Sequence, residues 1–431
     1  MKRLIRVLKK TPMLIVFLFI LVAFTPFYLL SPGENRNRAI VTAVGIDRVE
    51  DEVEVSLLTF IPTANPTYLE TNSVFSTKGP TIAEALYKAQ ILMGKRIGLS
   101  HARTTVVGEK MLEEDVAPTV DYLSRIASLS ENTVFIATSG SAKDFLKASQ
   151  TLGEDIGLKL DQLISYDVKK VYVSETTLES FYEGYFSPVK TSLIGYLELV
   201  PESESEIASM DSSQSEGGSG GGGGSGGNGA SSGGGSGGSG SGGGQGGGGE
   251  EKKKIVNKGD VVLLKNGKKA QILSEEIVQG LNVINPKAIG QLIRIENVTD
   301  DEFDNANLTY AIRKKKVKNA FKMQNGNPIF AIDIELGLEL IEIDSNKDDL
   351  KVNSEYTLLT QDIVERIEAF CKKKFSTSLK MLRNHKADVL GLSLLMQTSG
   401  AEFKKFYQSL DDQEDILNSV NFQITVRCDS D

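Results

Sequence analysis

The stretch AIVTAVGID, residues 39–47, decides how the chain begins to fold. It reads as an apolar strand that runs into a polar turn, residues 47–52. In the next strand, from Val53 to Thr59, every second side chain shares one face. Two such strands joined by a short polar turn predict a β-hairpin with one buried face.

Strands alternate with helices in the rest of the first half. Ile82, Leu86, Ala89 and Met93 recur at helical spacing, and Thr81 precedes them as an N-cap. Strands are predicted at 104–107 and 133–138, and helices at 116–124 and 142–148. This alternation predicts an α+β fold and an N-terminal α/β domain, residues 38–201.

A linker, residues 202–254, interrupts the folded pattern. Its middle, residues 217–249, is almost wholly glycine and serine, a composition that cannot form a packed core. We therefore predict a disordered tether that separates the first domain from the rest and lets it move.

The second half is also mixed α and β. A hairpin is predicted around Asn266-Gly267 and a second turn at Asn325-Gly326. The other predicted elements are a helix at 275–281, strands at 291–297, 330–340 and 421–426, and a long helix at 358–383. We assign a middle domain to residues 255–310 and a C-terminal α+β domain to residues 311–431, which makes three small domains.

The first 32 residues predict a membrane anchor. Five of the first ten residues are basic and none is acidic, and residues 13–24 form an unbroken apolar run. This pattern keeps the basic end in the cytoplasm and places the chain after Ser31 on the other side of the membrane.

How the anchor is processed stays open. Residues 12–30 approach the roughly 20 residues needed to span a bilayer, which favours a retained transmembrane helix. Cleavage as a signal peptide is the alternative, although Ala23-Phe24-Thr25 is a poor cleavage site. Attachment through a lipid on cysteine is excluded, because Cys371 and Cys428 are the only cysteines.

Composition limits the partners and the chemistry. The net charge is −9, and the residues after the basic end are strongly acidic, which argues against nucleic acid and against broad contact with anionic lipid. The two cysteines form no metal-binding spacing, and a buried free thiol is favoured for Cys371. No nucleophile motif, zinc motif or phosphate-binding loop occurs in a credible context.

Six stretches occur in an order that resembles one family. They are AIVTAVGID (39–47), GPTIAEAL (79–86), LSHARTTVVGE (99–109), SGSAKD (139–144), residues 265–280, and KADVLG (386–391). Together they resemble the Ger(x)C family, the C subunits of spore germinant receptors. The resemblance covers essentially all of the chain beyond the anchor except the linker. This chain departs from the family in lacking the usual lipid-bearing cysteine and in carrying so long a Gly/Ser insertion.

Seven positions in these motifs are candidate structural or interface residues. They are Gly45, Asp47, Gly79, His101, Gly108, Asp388 and Gly391. Asp47 and Asp388 are expected to cap turns through their side-chain oxygens, and His101 is expected to have a structural role. We predict no catalytic residue, no metal site and no cofactor.

The resemblance implies a non-enzymatic, membrane-anchored receptor subunit in the spore inner membrane, needed for the germination response to nutrients. Most of the chain would lie on the extracytoplasmic side. Its partners would be a multispanning permease-like protein and a large membrane subunit. Two alternatives stay open, an extracytoplasmic solute-binding protein and a hydrolase of the cortex or envelope.

Overall fold

The structure is a computed structural model, and it describes residues 17, 19, 38–61, 71–126, 129–150, 160, 176–202, 253–299, 305–344 and 359–430. These residues form two β-sheets with helices packed on them. The mixed α and β fold class predicted from the sequence is therefore confirmed.

Before the linker, the strands are β1 (Arg38–Val49), β2 (Glu52–Ile61), β3 (Thr71–Gly79), β4 (Arg96–Gly98), β5 (Thr104–Gly108), β6 (Val134–Thr138) and β7 (Thr191–Pro201). The helices there are α1 (Ile82–Met93), α2 (Ala117–Ser124), α3 (Ala142–Ser149) and α4 (Leu178–Tyr185). A 3-10 turn, Glu109–Glu113, follows β5.

After the linker, the strands are β8 (Lys253–Val256), β9 (Val261–Lys265), β10 (Lys268–Leu273), β11 (Leu292–Val298), β12 (Ala306–Gln324), β13 (Asn327–Asp344) and β14 (Asn421–Ser430). The helices there are α5 (Glu275–Asn282), α6 (Gln361–Asn384), α7 (Leu392–Thr398), α8 (Ala401–Gln408) and α9 (Ile416–Ser419).

The first sheet has the order β10-β9-β7-β6-β5-β1-β2-β3, with β4 beside β1 and β8 beside β7. β1, β5, β6 and β7 run parallel, so their first residues share one edge of the sheet and their last residues share the other. We call these the amino edge and the carboxyl edge. The predicted hairpin of β1 and β2 is confirmed, with Asp47 opposite Glu54.

Helix α1 also begins as predicted. The Thr81 hydroxyl oxygen accepts the backbone N–H of Glu84 at 3.2 Å, which satisfies one of the amides that a helix start leaves unpaired. Gly94 ends the helix in the left-handed region, with φ of 61°. The chain then enters β4 beside the first residues of β1, so α1 runs from the carboxyl edge back to the amino edge.

The linker joins two neighbouring strands of the first sheet. Pro201 in β7 pairs with Lys253 in β8, and β9 pairs with the first half of β7. Because hydrogen bonds hold together the strands on both sides of the linker, the predicted free movement of the first domain is corrected. β7 would otherwise leave an open edge of unpaired backbone groups. The predicted disorder concerns residues 203–252, which lie outside the described residues.

β9 faces two hydrophobic cores at once. Val262 and Leu264 pack into the core of the first sheet, whereas Val261 and Leu263 pack into the core of the second. A strand buried on both faces is a continuous apolar run, which is why VVLL does not alternate. The residues predicted as a middle domain, 255–310, are therefore divided between the two sheets.

The second sheet has the order β11-β12-β13-β14. β12 and β13 form a long hairpin around Asn325-Gly326, where both residues have positive φ as the predicted turn requires. Helix α6 lies on this sheet. Its buried stripe is Ile363, Ile367, Cys371, Phe375, Ser378, Leu379 and Leu382.

The predicted anchor, residues 12–30, lies outside the described residues except for Phe17 and Phe19, which are helical and exposed. In the part of the chain that the structure describes, no helix is both long enough and apolar enough to cross a membrane.

Candidate functional site

Asp47 holds a helix that begins 95 residues later in the chain. Its carboxylate is buried at the carboxyl edge, where Oδ1 accepts the backbone N–H of Ala142 at 2.7 Å and Oδ2 accepts that of Lys143 at 3.0 Å. These amides belong to the first turn of α3, where N–H groups lack partners within the helix. Asp47 therefore fastens α3 to β1.

Gly108 and Gly45 make room for this contact. A Cβ atom on Gly108 would lie 2.0 Å from Asp47 Oδ1, and one on Gly45 would lie 3.0 Å from Leu146 Cδ1. Gly108 has an ordinary φ of −71°, so space rather than backbone conformation requires glycine there. Three of the seven motif positions, Gly45, Asp47 and Gly108, thus meet at the start of α3, and we call them the Asp47 cluster.

Charge around Asp47 is partly balanced. The neighbouring Glu54 carboxylate accepts a hydrogen bond from Lys143 Nζ at 2.7 Å. Desolvation by burial raises the pKa of Asp47 from its ordinary value, whereas the two backbone hydrogen bonds oppose that rise. The geometry is that of a helix cap whose carboxylate is fully occupied by backbone donors.

Asp388 likewise accepts hydrogen bonds from the start of a helix in the second half of the chain. Its Oδ1 accepts the N–H of Leu392 and its Oδ2 accepts that of Ser393, both at 2.8 Å, at the start of α7. Gly391 precedes the helix with φ of 67°, a backbone conformation that residues other than glycine seldom adopt. These two motif positions form a second helix cap.

Gly79 and His101 lie elsewhere. A Cβ on Gly79 would be 2.7 Å from the backbone nitrogen of Ala85, so this glycine lets α1 approach β3 closely. His101 is exposed in the turn before β5, at the amino edge, whereas Gly108 ends β5 at the carboxyl edge. About 13 Å of strand lies between the two edges at β5, so His101 is not part of the Asp47 cluster.

Lys315, a half-buried lysine, was not singled out from the sequence, because it lies in the basic run KKKVK, residues 314–318. Lys315 Nζ donates to the carbonyl of Asn282 at 2.9 Å, and burial lowers the pKa of this lysine to about 8. It lines a pocket together with Val283, Gln291, Ile293, Ile312, Leu336, Phe370 and Cys371. The pocket has room for about one water molecule, which does not favour binding of a nutrient there.

The thiols also fit a structural role. Cys371 is buried and free, as favoured from the sequence, and Cys428 is half-buried and free. Burial raises the pKa of the Cys371 thiol to about 12 and that of Cys428 to about 11, so neither is an activated nucleophile. Within the described ranges, no group of three or more His, Cys, Asp or Glu residues could hold a metal ion.

An exposed apolar surface on α1 was also missed. Tyr87, Ile91 and Leu92 are 65%, 62% and 70% exposed. With the exposed Lys88, Lys95 and Arg96, they form what we call the α1 patch. The sequence did contain an indication of this surface, because these three large apolar residues are not on the predicted buried stripe of the helix.

Comparison with known proteins gives matches on both sides of the linker. The model of the spore germination protein N-terminal domain matches residues 34–199, and that of the spore germination B3/GerAC-like C-terminal domain matches residues 259–429. The chain is 26% identical over 165 residues to "Putative spore germination protein YfkR" of Bacillus subtilis (strain 168), which covers 36% of this chain and 40% of that protein. It also resembles the crystal structure of the GerBC protein, with 14% identity and a TM-score of 0.45 over 90% of this chain and 96% of that one.

Proposed function

This chain belongs to the Ger(x)C family of spore germination proteins, and from that membership we propose that it is a non-enzymatic, membrane-anchored subunit of a spore germinant receptor. The observation that carries the proposal is the pair of family matches, residues 34–199 and 259–429, in family order on either side of the linker. The subunit would be needed for the germination response to nutrients.

The use of the motif residues supports a scaffolding role. Both carboxylate oxygens of Asp47, and both of Asp388, accept hydrogen bonds from the first backbone N–H groups of a helix. Gly79 and Gly108 lie where a helix or a carboxylate approaches too closely for a side chain, and Gly45 lies in tight contact with α3. A group occupied in this way holds the fold together, and partner binding then depends on the surfaces that the fold presents.

The proposed partners are a multispanning permease-like subunit and a large membrane subunit, in the spore inner membrane. Residues 12–30 would hold the chain there as a retained helix, with the two sheets on the extracytoplasmic side. A spanning helix is effectively permanent, whereas a single acyl chain holds a protein only marginally.

Deletion of the gene in its host tests the function. Germination in response to at least one nutrient should be lost and should return when the full-length gene is restored. A restored gene that carries Gly98→Ala should also return germination, because a Cβ there would meet only the Ala39 carbonyl oxygen at 3.7 Å. Unchanged germination with every nutrient would contradict the proposal.

The anchor has its own test. The intact mass of the chain extracted from spore membranes should include residues 12–30 without an added lipid. A missing N-terminus or an acyl chain would contradict the proposed anchoring and leave the proposed function standing.

A further inference from the structure

The α1 patch is an apolar surface on the last two turns of a helix. Tyr87 and Ile91 are four residues apart and lie one above the other. Leu92, the next residue, projects about 100° further round the helix. The opposite face of α1 is buried by Ile82, Ala85, Leu86 and Ala89. The helix therefore has an apolar face toward the sheet and a second apolar surface toward solvent.

The surroundings of the patch are basic, although the chain is acidic. From Ala85 to Arg103 the sequence has no aspartate and no glutamate. Lys95 and Arg96 are exposed at this end of the helix, whereas Lys88 Nζ donates to the Lys78 carbonyl at 3.1 Å, toward the carboxyl edge. Apolar and aromatic side chains ringed by basic groups suit the interface of a bilayer with anionic headgroups.

The patch lies where the predicted anchor meets the sheet. Arg96, three residues after α1, pairs with Arg38, the first residue of β1. Only residues 31–37 lie between Arg38 and the apolar segment, and seven residues reach at most about 25 Å. The amino edge of the first sheet is thus confined to the neighbourhood of the membrane surface.

We propose that the α1 patch is a membrane-contact surface, which seats the amino edge of the first sheet on the anionic headgroups of the bilayer. Tyr87, Ile91 and Leu92 enter the interface, and the exposed Lys95 side chain at the end of the helix extends to the headgroups. Near an anionic surface each basic residue adds roughly a fivefold preference for the membrane. The inference rests on the anchoring proposed above.

This contact orients the molecule. β1 carries Asp47 about 30 Å beyond Arg38, so the Asp47 cluster points away from the bilayer. β7 runs parallel to β1 by way of β5 and β6. The linker therefore leaves the first sheet from the carboxyl edge, on the side opposite the membrane.

The natural chain contains no tryptophan, so one introduced indole reports on one place. We would reconstitute full-length Leu92→Trp in vesicles of phosphatidylglycerol and bromine-labelled phosphatidylcholine. Tyr87→Trp is a second, more conservative reporter of the same surface. Asp51→Trp is the control, because Asp51 is exposed in the turn between β1 and β2, at the carboxyl edge of the same sheet.

The Leu92→Trp and Tyr87→Trp chains should lose most of their fluorescence to the brominated lipid and should emit at shorter wavelength than in detergent. The Asp51→Trp chain should keep its fluorescence. Adding Lys95→Gln to Leu92→Trp should weaken the quenching in these vesicles and change it little when phosphatidylglycerol is left out.

Flotation of the vesicles separates the two proposals. If all chains float and neither patch reporter is quenched, the patch serves another partner, such as a receptor subunit, and the inference is wrong while the anchoring stands. If the full-length chains do not float, the anchoring and the inference both fail.

Discussion

Replacing Gly108 by alanine should destabilise the protein because of one oxygen atom of Asp47. The new Cβ would lie 2.0 Å from Asp47 Oδ1 and 3.1 Å from the Gly140 carbonyl oxygen. The carboxylate would have to leave the first turn of α3 or the strand would have to move. We therefore expect the cost of Gly108→Ala to depend on whether Asp47 is present.

The magnitudes follow from the contacts. Asp47→Ala leaves two backbone N–H groups of α3 without acceptors, one fully and one partly buried, which should cost about 3 kcal/mol. Gly108→Ala adds an atom to a filled space, which costs about 1–3 kcal/mol. In the double variant the clashing oxygen is gone, so the total should fall short of the sum by about 1 kcal/mol or more.

Urea unfolding of the wild type, the two single variants and the double variant, monitored by circular dichroism, measures this coupling. Gly98→Ala is the control for glycine replacement within a strand of the same sheet, since its Cβ would meet only ordinary contact. If the losses of Gly108→Ala and Asp47→Ala simply add, the reasoning that Gly108 exists to admit the Asp47 carboxylate is refuted.

Three further predictions use other parts of the fold. Replacing residues 203–252 by a short turn should keep the fold and raise the free energy of unfolding by about 2 kcal/mol, because a shorter loop costs less entropy to close; loss of the fold in a thermal melt would contradict the pairing of β7 with β8. Lys315 has a folded pKa of about 8, below its ordinary value, so above pH 8 the unfolded chain binds more protons than the folded chain. The free energy of unfolding of the wild type should therefore rise relative to that of Lys315→Met, by up to roughly 3 kcal/mol, as the pH rises toward 10.5. Urea midpoints of both chains at pH 7 and pH 10 that shift in parallel would contradict this. Cys371 should resist a thiol reagent at pH 8 and react fully in urea, and mass spectrometry that finds it labelled in the folded chain would show that the core around it opens.

Local patterns in the sequence were enough for several elements. The hairpin at Asn266-Gly267 has positive φ at both residues, as its turn type requires. The cap of α1 at Thr81 and the turn after Asp388 were likewise visible, because each depends on residues within five positions. Such contacts need no knowledge of the rest of the fold.

Long-range contacts were not visible. Asp47 was expected to cap a nearby turn, but its partners lie 95 and 96 residues away. β12 was not predicted as a strand, because the basic run 314–318 hides its alternation, although Lys315 and Val317 face inward. β9 pairs with β7 because the backbone groups along one side of β7 have no other partner strand. A Gly/Ser linker does not indicate with which strand the chain after it will pair.

The central claim, membership of a germinant receptor, is tested most directly by isolating the complex. The full-length chain, tagged at its C-terminus and extracted from spore inner membranes in mild detergent, should bring with it a multispanning permease-like protein and a large membrane subunit, identified by mass spectrometry. The Gly98→Ala chain should recover both as well. Recovery of the tagged chain alone, from membranes in which both candidate subunits are present, would contradict the account.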